Sequence, residues 1–394
     1  MNSVLKKINF LNYSILIPYL ILSVVGLVVV YSSTGPYLID KGDSPYKMVI
    51  TQTAFWIISL ILIWLLYHMK LNFLKNVKFV WILMWVEIAL LVVARFAPRV
   101  NGAHGWIRIG GFSVQPAEYM KILIVWQLAA VFARNQEKIY YHDAHAVFTR
   151  LWVPQFIISS LLIASMPDLG NLIMIVGLMV IMVFCSGISY GWGVGYSIIG
   201  GLTFLAFNVY LHIVKGNVFS GSLSYINKRF QAFINPFSDV EDAGHQIANG
   251  YYALSNGGWF GRGLGNSVEK KGFLPEAHTD YIFPIVVEEL GFFGSLVLMG
   301  LLFFLMLRIM QVGIKAKKSF NSMMCIGIGS IFLLQVVVNV GGILGLIPET
   351  GVTFPFLSQG GNSLLILSIG VGFALNISAD EKRNKLVEIS ADEE

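Results

Sequence analysis

The sequence predicts an all-α polytopic membrane protein with ten transmembrane helices and one large extracellular loop between helices 7 and 8. Three observations predict it. Hydrophobic residues make up 56% of the 394 and charged residues only 12%, about half the roughly 25% charged content of a soluble domain. The mean hydropathy is +0.70. Apolar runs near the roughly 20 residues needed to cross the hydrocarbon core recur along the chain.

The runs lie near residues 14–32, 49–67, 78–97, 119–134, 151–166, 170–187, 191–213, 281–307, 320–345 and 362–378. The first is long enough to span and has no small-residue cleavage pattern, so it is expected to stay with the protein. Between the sixth and seventh, Ser186-Gly187-Ile188-Ser189 leaves only a tight turn. The eighth and ninth exceed one bilayer thickness and are expected to tilt or protrude. The whole chain, 1–394, reads as one membrane domain, with the loop at 214–280 and a cytoplasmic tail at 379–394.

Lys and Arg set the orientation. With the N-terminus inside, 15 of the 27 cationic residues fall on the inner side, and six of the remaining 12 sit in the long loop, which the rule discounts. Both termini are then cytoplasmic. The formal charge of +5 suits an anionic lipid surface and is no nucleic-acid signature. Cys185 and Cys325 lie in apolar runs, read as small core residues, and offer no metal-ligand spacing.

The long loop is too long for a plain connector. It is rich in aromatic residues, and segments near 225–234 and 243–256 have the pattern of short amphipathic helices lying against the outer ends of the bundle. Three polar clusters fall on that outer side. In the first, residues 101–118, Trp106 and Arg108 alternate with Ile107 and Ile109, a short hairpin turning at Gly110-Gly111. Pro116 suits a first helical position, with Glu118 in the first turn and Lys121 close enough to pair with it. Trp106 reads as an interfacial anchor. Arg108 and Lys121 divide evenly between structure and a lipid phosphate.

The second cluster, residues 235–291, holds the glycine-rich Gly261-Arg262-Gly263-Leu264-Gly265-Asn266 and then Leu274-Pro275-Glu276-Ala277-His278-Thr279-Asp280. Closely spaced glycines serve tight turns more often than they cradle an anion. Asp280 stands just before a membrane helix. It is either the N-cap of that helix or a carboxylate facing a cleft, where it would bind or react. Glu288 and Glu289 lie about 12–14 Å deeper at 1.5 Å per residue and need partners, so pairing within the fold is the expectation for both. The third cluster, Ile347 to Ser363, breaks the apolar pattern with two prolines and several glycines. Irregular backbone at that depth is tolerated where it lines a cavity. Of two lone intramembrane acids, Asp168 reads as a cap for the next helix, and Glu87 has no nameable partner.

Together these clusters resemble the SEDS family of bacterial cell-wall synthases (shape, elongation, division and sporulation), over nearly the whole chain. The resemblance rests on Gly105-Trp106-Ile107, Gln115-Pro116-Ala117-Glu118 with Lys121, Pro167-Asp168-Leu169-Gly170, Asn235-Pro236-Phe237, Gly261 to Asn266, Leu274 to Asp280, Glu288-Glu289-Leu290-Gly291, and Thr350-Gly351 with Pro355-Phe356, Ser358 and Gly360-Gly361. Departures are Gln359 for a usual Tyr, Asn362 for a usual Ser, His245 for a usual Tyr, and Ser113 where some members carry Arg.

The resemblance implies a peptidoglycan glycosyltransferase of the cell membrane that joins lipid II, an undecaprenyl-pyrophosphate-linked disaccharide-pentapeptide, into glycan strands with inversion at the anomeric carbon. It implies Asp280 as the essential acid, read as general base. Arg108, Lys121 and Arg262 are the expected pyrophosphate cations, and Glu276, His278 and Ser358 the further substrate contacts. A divalent cation such as Mg2+ or Mn2+ would be able to assist the leaving group, though no ligand set is legible. Implied partners are a class B penicillin-binding transpeptidase and other membrane proteins of the division machinery. Leu274 to Asp280 looks more like the division branch of the family than the elongation branch, which implies a septal location. Two rival classes remain: a lipid II flippase or transporter, whose charges would cluster at mid-membrane on broken helices, and a non-catalytic division scaffold, in which Asp280 would tolerate change.

Overall fold

A computed structural model describes residues 7–98, 104–109, 112–141, 147–188, 190–218, 225–237 and 244–392. After a single 3-10 turn (Lys7–Phe10), the long helices are α1 (Tyr13–Asp40), α2 (Lys47–His68), α4 (Val77–Phe96), α5 (Pro116–Arg134), α7 (Val153–Ser165), α8 (Leu169–Phe184), α9 (Tyr190–Ile213), α12 (Ile282–Lys315), α13 (Ser319–Ile343) and α14 (Gly361–Asp392). Two single-turn pieces, α3 (Leu71–Leu74) and α6 (Gln136–Tyr140), connect them at one end. At the other end lie the hairpin β1 (Ile107–Ile109) with β2 (Phe112–Val114) and the loop helices α10 (Tyr225–Ile234) and α11 (His245–Gly257). Among the described residues, eight helices are long and apolar enough to cross a membrane, while α7 and α8 are shorter apolar helices. The chain is therefore a multi-pass, all-α membrane protein.

Helices α5, α13 and α14 form the interior, with α1, α2, α4, α8 and α12 packed around them. Lipid tails are as apolar as the side chains they would replace, so close packing and interhelical hydrogen bonds hold such a bundle. The N-terminal segment is tied to α14 in this way: Lys7 Nζ donates to Asn376 Oδ1 at 2.6 Å and Asn12 Nδ2 to Ser378 Oγ at 2.9 Å. Trp126 on α5 donates to the Leu74 carbonyl at 2.6 Å. Helix α9 is mostly exposed and packs on α10.

Two features go beyond the sequence reading. The segment given above as the tail, 379–394, is helical to Asp392 as a continuation of α14, with Asp380 and Glu381 tied to the start of α13. Lys318 Nζ lies 3.4 Å from Asp380, and Asn321 Nδ2 donates to Glu381 Oε1 at 2.6 Å. The eighth apolar run does not simply tilt. Its 34-residue helix α12 breaks at Gly291, with φ 73° and ψ 179°, a conformation in which an L side chain is strained.

That break explains the glycine-rich loop. Arg262 N donates to the Glu288 carbonyl at 2.9 Å and Gly263 N to the Glu289 carbonyl at 3.0 Å, while Phe292 N donates to the Gly258 carbonyl at 2.9 Å. The loop supplies partners for backbone groups that the interrupted helix leaves open. The approach is so close that a Cβ on Gly261 would sit 2.3 Å from the Glu289 oxygen. These glycines serve backbone contact with α12, and the two N–H groups that would face an anion face carbonyls instead.

Candidate active site at the loop end of the bundle

A cavity of about 530 Å3 opens at the end of the bundle where α5, α8, α12 and α14 begin. Its wall brings together all three polar clusters. The hairpin side contributes Trp106, Ser113, Gln115 and Glu118, the α8 start contributes Asp168 and Asn171, and the long loop contributes Arg229, Gln246, Glu276, Thr279 and Asp280. The irregular segment before α14 closes it with Glu349 to Thr353 and Gln359 to Ser363.

Asp280 precedes α12, but Tyr281 is the residue at the cap position and no side chain caps that helix. The carboxylate faces the cavity instead. Its Oδ1 accepts from Thr279 Oγ1 at 3.0 Å. Its position is set through the backbone: Asn339 Nδ2 donates to the Asp280 carbonyl and to the Val352 carbonyl, both at 2.7 Å. One buried amide on α13 thus clamps the two loops that flank the carboxylate. Ser358 adds a second tie, donating to the Thr279 carbonyl at 2.5 Å and accepting from Phe354 N at 2.8 Å. Gln359 N donates to the His278 carbonyl at 2.8 Å. Burial, then the nearby Glu276 charge, push the Asp280 carboxyl up to about 6, against the opposing pull of the Thr279 hydroxyl and the Arg229 guanidinium. Such a group is still ionised at neutral pH and is a stronger base than an ordinary carboxylate.

The other expected contacts are placed as follows. Glu276 lines the cavity, and its Oε2 lies 2.6 Å from the same Thr279 Oγ1, so the Glu276 and Asp280 carboxylates share one hydroxyl proton. Arg108 is exposed on β1, opposite Ser113 in the antiparallel register, and Arg262 is exposed beyond the Gly261 contact. Neither lines the cavity. Lys121 is fully buried, its Nζ 2.7 Å from Glu118 Oε1. Its charge is matched inside the fold, and only the Glu118 partner reaches the cavity wall. His278 stacks on Tyr37 at 6.2 Å between centroids, and burial lowers its imidazole pKa below the ordinary value. Ser358 is buried and holds the loop rather than facing the cavity. Trp106 lines the wall, and Pro116 opens α5. The Glu288 carboxylate accepts from Ser267 Oγ at 2.5 Å and Val268 N at 3.0 Å. Glu289 pairs with Lys270 Nζ at 2.5 Å and accepts from Ser32 Oγ at 2.7 Å. Asp168 caps α8 through Asn171 N at 3.1 Å. The Gly110-Gly111 turn lies outside the described residues.

Sequence reasoning passed over two residues. Arg229, on α10, is the sole Lys or Arg in the cavity wall among the described residues. Its amphipathic helix was legible, but not which of its cations turns inward. Glu349, quoted within the third cluster and given no role, lines the same wall. Arg229 Nη1 lies 3.5 Å from the Glu349 carbonyl oxygen. Among the described residues, no group of three or more His, Cys, Asp or Glu is placed to hold a metal ion.

This arrangement places a carboxylate, Asp280, and a guanidinium, Arg229, in the wall of one cavity. The profile for the FtsW, RodA and SpoVE proteins, described as "Cell cycle protein", matches residues 13–383. The chain belongs to this family. The probable peptidoglycan glycosyltransferase FtsW of Lactococcus lactis is 52% identical over 98% of this chain and 96% of its own length. The protein of the same description from Enterococcus hirae is 37% identical over 97% and 96%. Stage V sporulation protein E of Bacillus subtilis is 33% identical over 91% and 94%. Among solved structures, a chain of a peptidoglycan synthase complex that coordinates polymerization and crosslinking superposes with a TM-score of 0.73 at 22% identity, covering 94% of this chain and 98% of the other. Rod shape determining protein RodA of Thermus thermophilus superposes with a TM-score of 0.65 at 21% identity, covering 94% and 97%. The family's fold is the one described above.

Proposed function

We propose that the chain is a peptidoglycan glycosyltransferase that polymerises lipid II into glycan strands during division, with Asp280 as general base. The observation that carries this reading is the Asp280 carboxylate: it sits in the wall of a cavity of about 530 Å3, caps no helix, and shares that wall with Arg229. The family and the Lactococcus lactis FtsW relative support the same reading.

In the reaction, the 4-hydroxyl of the acceptor GlcNAc attacks the anomeric carbon of the donor, which is linked to pyrophosphate. Inversion requires the hydroxyl and the leaving group on opposite faces of that carbon. Asp280 takes the hydroxyl proton as the new bond forms. Arg229 supplies the positive charge for the departing pyrophosphate, the role that Arg108 and Arg262 are too far out on the surface to fill and Lys121 too well paired. Glu276 and Gln246 line the same wall and suit sugar hydroxyls. Holding both substrates in one groove at the bilayer rim supplies much of the rate.

The reading includes ten spans, the two short helices α7 and α8 among them, with both termini cytoplasmic and the cavity on the outer face. It includes a class B penicillin-binding transpeptidase as partner, in line with the synthase complex that shares the fold, and a septal location with other division proteins. A transporter is disfavoured because the polar groups gather at one end of the bundle rather than at mid-membrane. The test is purified protein given lipid II. Wild type should form glycan strands and Asp280→Asn should form none while remaining folded. Normal polymerisation by Asp280→Asn would remove Asp280 from the chemistry.

A further inference from the structure

A second pocket, of about 420 Å3, lies at the end of the bundle opposite the Asp280 cavity, where α4 and α13 begin and α5 ends. Three cations line it: Lys75 and Lys78 on either side of the α4 cap, and Arg134, the last residue of α5. The rest of its wall is Asn76, Val77, Ala130, Ala133 and Phe320, so among the described residues no Asp or Glu belongs to it. Lys75 is half-buried, its Nζ 5.6 Å from the centroid of the Phe320 ring. A ring face holds an ammonium at that range without cancelling its charge. The acids that act on Lys75 through space, Asp380 and Glu381, are engaged elsewhere. Asp380 lies 3.4 Å from Lys318 and 3.3 Å from Arg383, and Glu381 accepts from Asn321 Nδ2 at 2.6 Å.

Like charges around one void repel one another, and a part-buried cation without a counter-ion is costly. An anion seated among them relieves both. The amides at the start of α4 contribute little, because Asn76 Oδ1 already accepts from Lys78 N at 3.0 Å and Phe79 N at 3.4 Å. The surroundings indicate what carries the anion. Trp81, Ile82 and Trp85 follow Lys78 by three, four and seven residues, which places all four on one stripe of α4. That stripe is exposed and leads from the pocket toward the middle of the bilayer. Such a surface suits acyl chains, and Val77, Ala133 and Phe320 give the pocket itself apolar walls. A free phosphate would gain from neither, whereas a basic pocket between membrane helices suits an anionic lipid headgroup.

We propose that this pocket binds the headgroup phosphate of an anionic phospholipid from the leaflet at that end, held among Lys75, Lys78 and Arg134 with its acyl chains along the α4 stripe. The bound lipid would brace α4, α5 and α13 where they meet, at the far end from the cavity. None of the pocket residues takes part in the chemistry at Asp280, so its occupancy is read without turnover. The general bias of Lys and Arg toward one side of a membrane favours no cation of that side over its neighbours. A built site favours these three.

The experiment is native mass spectrometry of the full-length protein in detergent, titrated with dioleoyl phosphatidylglycerol or dioleoyl phosphatidylcholine, with and without excess inorganic phosphate. Wild type should bind phosphatidylglycerol saturably and about tenfold or more tighter than phosphatidylcholine, and phosphate should not displace it. Combining Lys75→Gln, Lys78→Gln and Arg134→Gln should weaken phosphatidylglycerol binding roughly 10- to 100-fold. Combining Lys70→Gln, Lys138→Gln and Lys385→Gln removes the same charge from exposed positions outside the pocket, and affinity should stay within about threefold of wild type. Ala133→Phe keeps every cation but fills the pocket, and should weaken binding about tenfold. Equal losses in the two triple variants would mean diffuse surface charge and overturn the proposal. Undiminished affinity in Ala133→Phe does the same, because the lipid would then sit elsewhere. Equal affinity for the two lipids, or displacement by phosphate, also overturns it, the latter by making the occupant a free anion. If the pocket triple variant does not fold, Ala133→Phe and Arg134→Gln alone, both at positions open to solvent or lipid, decide the matter.

Discussion

Replacing Asp280 with Asn should make the protein more stable at neutral pH as it abolishes polymerisation. The cavity holds the Asp280 carboxyl at about 6, against an ordinary value of 3.8, chiefly through burial and the neighbouring Glu276. A raised value means that the folded state favours the protonated form and resists ionisation. Each pH unit of difference corresponds to about 1.4 kcal/mol, so ionised Asp280 destabilises the fold by roughly 3 kcal/mol at most. The pH dependence has a definite sign. Below 3.8 the carboxyl is protonated folded and unfolded, and nothing is lost. The penalty grows between 3.8 and about 6 and is complete above that. An Asn side chain keeps the shape and the oxygen that accepts from Thr279, and it carries no charge at any pH. The variant should therefore exceed wild type by up to roughly 3 kcal/mol at about pH 7.5, with the gap closing as pH is lowered through 6 toward 4. Denaturant or thermal unfolding of both proteins in the same detergent, at several pH values, reads this directly. Wild-type polymerisation should fall over the acid side of the same range as the base is protonated. An Asn variant less stable than wild type at neutral pH, or a gap indifferent to pH, would show that Asp280 is a structural carboxylate and would refute the reasoning.

Arg229→Ala should lower kcat/KM for lipid II by roughly 10- to 100-fold, the loss expected for one charge-assisted contact, whereas Arg108→Ala should stay within about threefold; steady-state polymerisation of labelled lipid II compares them. Lys270→Met leaves Glu289 buried without its cation and should cost about 3–5 kcal/mol, most of it recovered by adding Glu289→Met; unfolding in mixed micelles measures the cycle. Gly261→Ala places a Cβ 2.3 Å from the Glu289 oxygen at a φ of +77°, so the loop must pull away from α12, and monodispersity on size exclusion should be lost.

Much of the bundle was legible because the bilayer makes length and polarity explicit. Nine of the ten apolar runs coincide with helices that differ mainly at their ends, and the amphipathic stretch at 225–234 is helical over Tyr225–Ile234. The tenth, the eighth in order, carried more information than its length. Gly291 marked a break that only a partner loop can satisfy, and the partner was the glycine run Gly261 to Gly265 some thirty residues upstream. Read alone, that run resembles an anion cradle. Its use became visible once the open backbone groups of α12 were accounted for, because each buried N–H and C=O must find a partner.

The candidate site divides along the same line. Asp280 stood out locally, as a carboxylate at the rim of an apolar helix, and no later contact was needed to single it out. Its surroundings could not be singled out in that way. Lys121, Arg108 and Arg262 had the right charge and lay near the right motifs, but a cation serves a pyrophosphate only if its charge is both unmatched and inside the cavity. Lys121 lacks the first property, since Glu118 sits one helical turn away, and the two arginines lack the second. Arg229, Asp280 and Glu349 reach the same cavity wall from three separate segments. Nothing in a single segment encodes that meeting. It is set by Asn339, whose one amide holds the Asp280 and Val352 carbonyls together, and by Ser358, which ties Thr279 to the turn before α14. The carboxylate proposed as base is thus one residue, while the backbone that carries it is held by the neutral side chains of Asn339 and Ser358. Substitutions at Asn339 and Ser358 would accordingly move the pH profile and kcat together, which loss of a substrate contact would not do.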